Sequence, residues 1–187
     1  MQDLIPRRAT YDDLVAVPPH LVAEILDGRL VTHPRPAPRH SRAASILGGL
    51  LVPAHDIGTT GPGGWWVLDE PELHLGADVA VPDLGGWRRE RMPKLPETAW
   101  FELPPDWACE VLSPATARHD KGVKRDLYAR HGVRHLWHVD PPERLLEVFE
   151  LTEGKWLLWR TFRDDDDDVA APPYAALTFK LGLLWTD

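Results

Sequence analysis

Short apolar runs, repeatedly interrupted by proline and glycine, constrain the fold of this 187-residue chain more than any other feature. The chain contains 19 prolines and 14 glycines, and both residue types end regular elements. No apolar run reaches the roughly 18–20 residues that a membrane-spanning helix requires. The pattern therefore predicts many short helices and strands joined by turns, and it argues against a helical bundle, a coiled coil and a membrane partner.

Turn residues predict two β-hairpins. Asp27-Gly28 separates the apolar segments 21–25 and 30–33, and an Asp-Gly pair favours a type I′ turn because both central residues then have positive φ. Residues 152–154 separate segments 145–151 and 155–162 in the same way.

Capping residues predict two helices among the remaining strands. Ser41 is the expected N-cap of a helix that ends at Pro53, and Ser113-Pro114 is expected to begin a helix that ends at Gly132. Strands are expected at 65–68, 77–81, 107–112 and 136–139, and a long loop at 84–104. The strand–helix–strand order predicts a crossover with a parallel pair, hence an α/β fold with a mixed sheet.

Length, charge and cysteine content narrow the class of protein. We expect one domain over 1–187, with an N-terminal segment 1–20 and a C-terminal extension 163–187. The net charge of −8 excludes a globally basic nucleic-acid-binding surface, but five of the acids lie in the run 164–168, so the remainder is only mildly acidic. The single cysteine, Cys109, is typical of a reducing compartment, and we expect a cytoplasmic protein.

Three carboxylates stand on otherwise apolar elements. Asp83 follows Pro82, where a strand must stop; Glu110 lies within WACEVL, and Glu24 lies within LVAEIL. A buried carboxylate without a partner is costly, and hard oxygen ligands suit Mg²⁺ or Mn²⁺, so the three acids are candidates for one shared cation. The alternative is that each acid pairs with an arginine or faces solvent.

Cations accompany these acids. Asp120, Lys124 and Tyr128 recur at the i, i+4 and i+8 positions of the second predicted helix, which places them on one face. The segments 28–42 and 115–135 are rich in lysine and arginine, as expected beside a phosphate-backbone substrate. An ordinary surface salt bridge and a solvated helix face remain the alternatives.

A series of short motifs resembles the PD-(D/E)XK nuclease superfamily and, within it, the Uma-type family of restriction-endonuclease-like proteins. The motifs are AEILDGRLV (23–31), PAPRHS (36–41), VAVPDL (79–84), CEVLSPAT (109–116), DKGVKRDLYARHGVRHLWHVD (120–140) and LEVFELTEGKW (146–156). The resemblance implies an αβββαβ core, Mg²⁺- or Mn²⁺-dependent hydrolysis of nucleic acid, in particular DNA, and a homodimer.

The resemblance also implies roles for individual residues. Asp83, Glu110 and the Val111 carbonyl would hold the metal, with Glu24 completing the shell. The lysine that the superfamily carries two residues after the second acid is absent, and Lys124 is the expected substitute. Residues expected to orient these groups or to contact phosphate are Asp120, His40, Arg125 and Tyr128. The alternative for His40 is that it caps the first predicted helix.

Other functions remain as alternatives. The displaced lysine and the mild acidity also fit a catalytically inactive module of the same fold that binds nucleic acid or protein. The nine tryptophans suggest carbohydrate binding, although tryptophan in strands more often packs in a core. A zinc site at His131, His135 and His138 is disfavoured because Gly132 breaks the helix between them and no cysteine pair accompanies them.

Overall fold

The computed structural model describes residues 7–185, in which short strands dominate. In chain order the strands are β1 (Leu21–Leu26), β2 (Arg29–Pro34), β3 (Trp65–Asp69), β4 (Leu73–Leu75), β5 (Asp78–Ala80), β6 (Leu84–Arg88), β7 (Trp107–Val111), β8 (His135–Asp140), β9 (Leu145–Thr152), β10 (Lys155–Phe162), β11 (Asp168–Val169) and β12 (Phe179–Lys180). The α-helices are α1 (Tyr11–Val15), α2 (Pro38–Leu51), α3 (Ala117–His119) and α4 (Arg125–Arg130). Residues Val52–Asp56 and Asp120–Lys124 form π-helical turns, and Leu181–Leu184 form a 3₁₀-helix.

Two main sheets form from these strands. The larger has the order β10-β9-β8-β7-β6-β3, and the smaller has the order β2-β1-β5-β4. Within the larger sheet β7 and β8 pair in parallel and the other neighbours are antiparallel. The predicted α/β fold with a mixed sheet is confirmed, and α2, β3, β6, β7, α3–α4 and β8 supply the αβββαβ order.

Both predicted hairpins are present. Asp27 and Gly28 have φ values of 53° and 73°, as a type I′ turn requires, and Glu153 and Gly154 have values of 51° and 74°. The β1–β2 and β9–β10 pairs are antiparallel over nearly their full lengths.

Helix α2 begins one turn earlier than predicted. Ala37 is its N-cap and Pro38 its first residue, so Ser41 lies inside the helix and the N-cap prediction is wrong. Proline is already fixed at a helical φ and needs no intrahelical N–H partner, which makes Pro38 a good first residue. The α-helix ends before Pro53 as predicted, and the chain then continues through the π-helical turn.

The second helix begins later than predicted. Ser113 and Pro114 belong to a turn, closed by a hydrogen bond from the Thr116 amide to the Ser113 carbonyl, and α3 starts at Ala117. The π-helical turn then separates α3 from α4, so the predicted continuous helix is three consecutive pieces.

The predicted long loop at 84–104 is wrong in its first five residues, which form β6. This strand contains Gly85-Gly86, although consecutive glycines are more typical of turns. In the structure a Cβ on Gly86 would collide with the Tyr174 hydroxyl, and one on Gly85 would lie 2.8 Å from Pro71 Cγ. These glycines stand in a strand because side chains pack directly against its backbone.

Each face of the larger sheet carries its own apolar core. Helix α2 and the C-terminal residues up to 185 cover one face, where Trp107, Cys109 and Val111 of β7 are buried. Helix α4 and the smaller sheet cover the other face, where Ala108 is buried. Strand alternation therefore turns Glu110 toward α4. No helix within residues 7–185 has the length and apolar character needed to cross a bilayer.

The N-terminal and C-terminal segments contribute differently to the two apolar cores. The predicted N-terminal segment contains helix α1, and its residues 1–6 lie outside the described residues. The predicted C-terminal extension forms the β11–β12 ribbon, and Val169, Tyr174 and Leu181 from it are buried in the first core. Its last two residues, 186 and 187, also lie outside the described part.

Candidate functional site

A cavity of about 280 Å³ opens where the two sheets meet. The end of β2 and the first turn of α2 form one wall, and the turn after β7 and the helical segment 117–124 form the opposite wall. Asp83, Glu110, Asp120 and Lys124 line it, as does His40. The structure therefore brings most of the predicted site residues to one place.

Asp83 lies where the chain passes from the smaller sheet to the larger. Pro82 has no amide hydrogen to donate, so β5 ends before it and β6 begins just after Asp83. Asp83 Oδ2 accepts a 2.6 Å hydrogen bond from the Val111 amide, and Oδ1 lies 3.2 Å from His40 Nε2. Both carboxylate oxygens are therefore held in place.

Glu110 faces α4 and is buried with its polar partners. The Tyr128 hydroxyl donates a 2.5 Å hydrogen bond to Glu110 Oε1. Lys124 Nζ lies 2.9 Å from both carboxylate oxygens of Glu110. The helical spacing of Lys124 and Tyr128 thus converges on one acid of the neighbouring strand.

The Lys124 ammonium is shared among several acceptors. It lies 3.0 Å from Glu24 Oε1 and 3.7 Å from Asp120 Oδ1, and it donates a 3.1 Å hydrogen bond to the Val81 carbonyl. Glu24 Oε1 also accepts the Val81 amide at 2.8 Å, so both backbone groups of Val81 take part in this cluster. A single buried ammonium therefore joins the two sheets through Glu24 and Glu110.

The pKa values of the buried site residues reflect an excess of acidic over basic side chains around them. Burial raises the pKa of Glu110 well above its usual range; Lys124 opposes this, but neighbouring carboxylates reinforce it. Burial also raises the pKa of Asp120. Burial would lower the pKa of Lys124, but Glu110 and Glu24 outweigh it, so the pKa is raised and the amine stays charged.

His40 lies close to Asp83, which favours the protonated form of its ring. Burial lowers its pKa, yet the hydrogen bond and the charge of Asp83 more than compensate, and the pKa is raised overall. Its Nδ1 atom is buried without a hydrogen-bond partner in the described structure. His40 is thus a positioning partner of Asp83 and does not cap α2.

Two other predicted residues occupy different positions. Tyr128 is fully buried, so it contacts Glu110 and cannot reach a phosphate group in the cavity. Arg125 points away from the cavity, with its guanidinium 4.6 Å above the Phe149 ring. The structure therefore places Tyr128 as a partner of the acids and leaves Arg125 outside the site.

Two groups of the site, the Val81 carbonyl and the His33 side chain, were not predicted from the sequence. The Val81 carbonyl is a backbone group, for which a sequence carries no signal. His33 lines the cavity with Nε2 3.9 Å from Glu24 Oε2. Its position opposite Val22 in the β1–β2 hairpin could have indicated a place near Glu24, because cross-strand register follows from the turn.

The carboxylate and carbonyl oxygens of this site are chemically suited to bind a hard divalent cation. Four carboxylates face Lys124 and His40, which leaves negative charge to be balanced in a largely buried place. Carboxylate and carbonyl oxygens are the ligands that Mg²⁺ prefers. Within residues 7–185, however, no three His, Cys, Asp or Glu side chains are arranged around a common metal position. The Lys124 ammonium instead lies among the acids.

Comparisons with known proteins give a family match and a similar fold. A family model described as "Uma2: Putative restriction endonuclease" matches residues 8–182. The fold is similar to the crystal structure of a putative nuclease belonging to DUF820 from Anabaena variabilis ATCC 29413, with a TM-score of 0.74 and 22% sequence identity. That match covers 95% of this chain and 97% of the other. None of the curated proteins matches the chain.

Proposed function

Because the chain belongs to the Uma2 family, we propose that it is a metal-dependent endonuclease that hydrolyses phosphodiester bonds of DNA. The observation that carries the proposal is the meeting of Glu24, Glu110 and Asp120 around one buried ammonium, with Asp83 lining the same open cavity. An acidic cavity of this kind needs a cation before a phosphate anion can enter it. Mg²⁺ or Mn²⁺ is the proposed cation.

The proposed metal ligands are Asp83, Glu110 and the Val111 carbonyl, with Glu24 completing the shell. A bound metal would supply a Lewis acid and lower the pKa of a coordinated water. The chain's own groups set the conditions for this chemistry. His40 and the Val111 amide orient Asp83, and Tyr128 orients Glu110. Lys124 places a fixed positive charge where negative charge develops on a phosphate.

The test is cleavage of plasmid DNA with Mg²⁺, with Mn²⁺ and with EDTA. Wild-type protein is expected to cleave only with metal, and Asp83→Ala and Glu110→Gln are expected to lose activity. Asp126→Ala is the matched control, because Asp126 is an exposed acid on α4 outside the cavity. Equal cleavage by wild type and Asp83→Ala would contradict the proposal.

A catalytically inactive binding module is the second candidate. The position of the Lys124 ammonium among the acids favours it, because a lysine that satisfies Glu24 and Glu110 can replace a metal structurally. Calorimetric titration with Mn²⁺ distinguishes the two. Binding that Asp83→Ala abolishes supports the nuclease, and an absence of binding to wild type supports the inactive module.

We also propose that two copies associate. A single site cuts one strand, so cleavage of both strands of a duplex is natural for a symmetric pair of sites. Light scattering coupled to gel filtration is expected to give twice the chain mass of 21.1 kDa. A monomeric mass at concentrations that cleave duplex DNA would contradict the dimer and leave the nuclease proposal intact.

A further inference from the structure

A second cavity, of about 540 Å³, lies beside the candidate active site. The first turn of α2 supplies Arg39 and Arg42, the β8–β9 turn supplies Arg144, and Trp185 comes from the C-terminal end of the described chain. Three prolines complete the wall. Its volume lies within the range of roughly 300–1,000 Å³ typical of small-molecule sites.

The arginines of this cavity differ in whether they are paired. Arg144 forms a two-pronged salt bridge with Asp165, and Trp185 Nε1 donates a 2.8 Å hydrogen bond to the same carboxylate. Arg39 and Arg42 are exposed, and neither has a carboxylate partner within residues 7–185. The cavity therefore has one rigid wall and two uncompensated guanidinium groups.

The two cavities share one stretch of backbone. Residues 34–37 and His40 line the candidate active site, whereas Pro38, Arg39 and Arg42 line the second cavity. Arg39 and His40 are consecutive, so their Cα atoms are about 3.8 Å apart. Ala37 provides no side-chain cap, and the free amides of the first turn add positive potential at this junction. The second cavity therefore adjoins the candidate active site along the beginning of α2.

We propose that this second cavity binds the backbone phosphate of the nucleotide that flanks the scissile bond. The inference rests on the proposed function. Arg39 and Arg42 present planar donor pairs that match two phosphate oxygens, and no acid within residues 7–185 forms a salt bridge with either. The indole of Trp185, held by Asp165, offers a flat surface at the side of the cavity against which the adjoining base can stack.

The structure also separates these arginines from others in the same basic segment of sequence. Arg29 is exposed and begins β2, whose far end, Pro34, lies at the active site. Five residues of strand place it roughly 16 Å farther away along β2. Arg29→Ala is therefore a matched control, since it removes the same charge from the same segment but not from the cavity.

The experiment measures binding of a fluorescein-labelled DNA duplex by anisotropy, over a series of KCl concentrations, with Ca²⁺ in place of Mg²⁺ so that a hard cation is present without the metal used for cleavage. Each lost phosphate contact lowers the slope of log K against log[KCl] by about one. Because both arginines are placed on one phosphate, we expect Arg39→Ala/Arg42→Ala to lower the slope by about one, and Arg42→Ala alone to lower it by no more than that. Arg29→Ala is expected to leave the wild-type slope unchanged.

The outcomes separate this inference from the proposed function. If wild type binds and cleaves DNA but the double variant keeps the wild-type slope, the phosphate subsite is overturned and the nuclease stands. An equal loss in Arg29→Ala also overturns the subsite, because the effect is then one of general charge. If wild type binds no DNA, both proposals are overturned.

Discussion

Lys124 is the residue on which the polar interior of this molecule depends. It is buried, charged and in contact with acids from both sheets, so its loss leaves Glu24 and Glu110 without a counter-charge. Isolated carboxylates in a low-dielectric interior are far more costly than a paired set.

We therefore expect Lys124→Met to lower the free energy of unfolding by about 3–5 kcal/mol. Urea denaturation followed by tryptophan fluorescence measures the change. Lys121→Met is the control, because Lys121 is 46% exposed and lies 3.7 Å from Asp140, and surface pairs contribute about 0–1 kcal/mol. A similar small effect in both variants would show that the buried acids are not held by this ammonium.

The hydroxyl of Tyr128 offers a second test at this scale. It donates to Glu110 from a fully buried position, so Tyr128→Phe is expected to cost about 1.5–3 kcal/mol. Tyr11 makes the same type of bond, to Glu72 Oε1 at 3.0 Å, but on the surface. Tyr11→Phe is expected to change stability by less than about 0.5 kcal/mol. Equal costs in denaturation experiments would contradict the role of burial.

Among the elements, the β1–β2 hairpin shows how a turn fixes the position of a functional residue. The turn sets the register that pairs Glu24 with Val31, and the strand alternation then turns Glu24 toward Lys124. Gly28 adopts a φ of 73° in this turn, where side chains other than glycine are strained.

We expect Gly28→Ala to destabilise the protein by about 1–2 kcal/mol, because of the strained φ. The added Cβ would also lie 3.1 Å from Arg8 Cγ. Gly49→Ala is the matched control, since Gly49 is helical with nothing within 4 Å of an added Cβ. Gly49→Ala is expected to raise the free energy of unfolding by about 0.5–1 kcal/mol. Thermal denaturation of both variants checks the opposite signs, and a shared sign would contradict the turn assignment.

In the molecule as a whole, the larger sheet is buried on both faces, and His138 of β8 is buried with it. His138 packs against Phe149 with neither ring nitrogen hydrogen-bonded in the described structure. Burial, reinforced by nearby Arg125, Lys121 and Lys124, lowers its pKa from 6.5 to about 3. Below pH 6.5 this histidine is therefore protonated in the unfolded chain but stays neutral in the folded chain. The free energy of unfolding consequently falls as the pH falls toward 3.

Between pH 7 and pH 5 this one histidine is expected to cost about 2 kcal/mol of stability. His138→Leu should remove that part of the pH dependence, so the wild type and the variant should converge or cross as the pH falls. The exposed His20 supplies the control, as His20→Gln should keep the wild-type profile. Parallel profiles of wild type and His138→Leu in urea titrations at several pH values would contradict a neutral buried His138.

Local rules accounted for much of the architecture. The Asp27-Gly28 turn, the strand end at Pro82 and the helical spacing of Asp120, Lys124 and Tyr128 all follow from short stretches of sequence. One error arose where a distant part of the chain decided the conformation. Residues 84–88 were expected in a loop but form a strand beneath Tyr174. The Ser41 error was local, because Pro38 had already begun the helix.

The amino-acid sequence alone determined the two hairpins, the strands that carry Glu24 and Glu110, and the shared face of Lys124 and Tyr128, because backbone sterics and side-chain periodicity act over a few residues. Only the tertiary structure decided that Lys124 bridges two sheets, that Arg125 faces away, and that Trp185 joins Arg39 and Arg42. These contacts join residues that are far apart in sequence. They depend on how the sheets and helices pack, because burial of their apolar faces outweighs local conformational preferences.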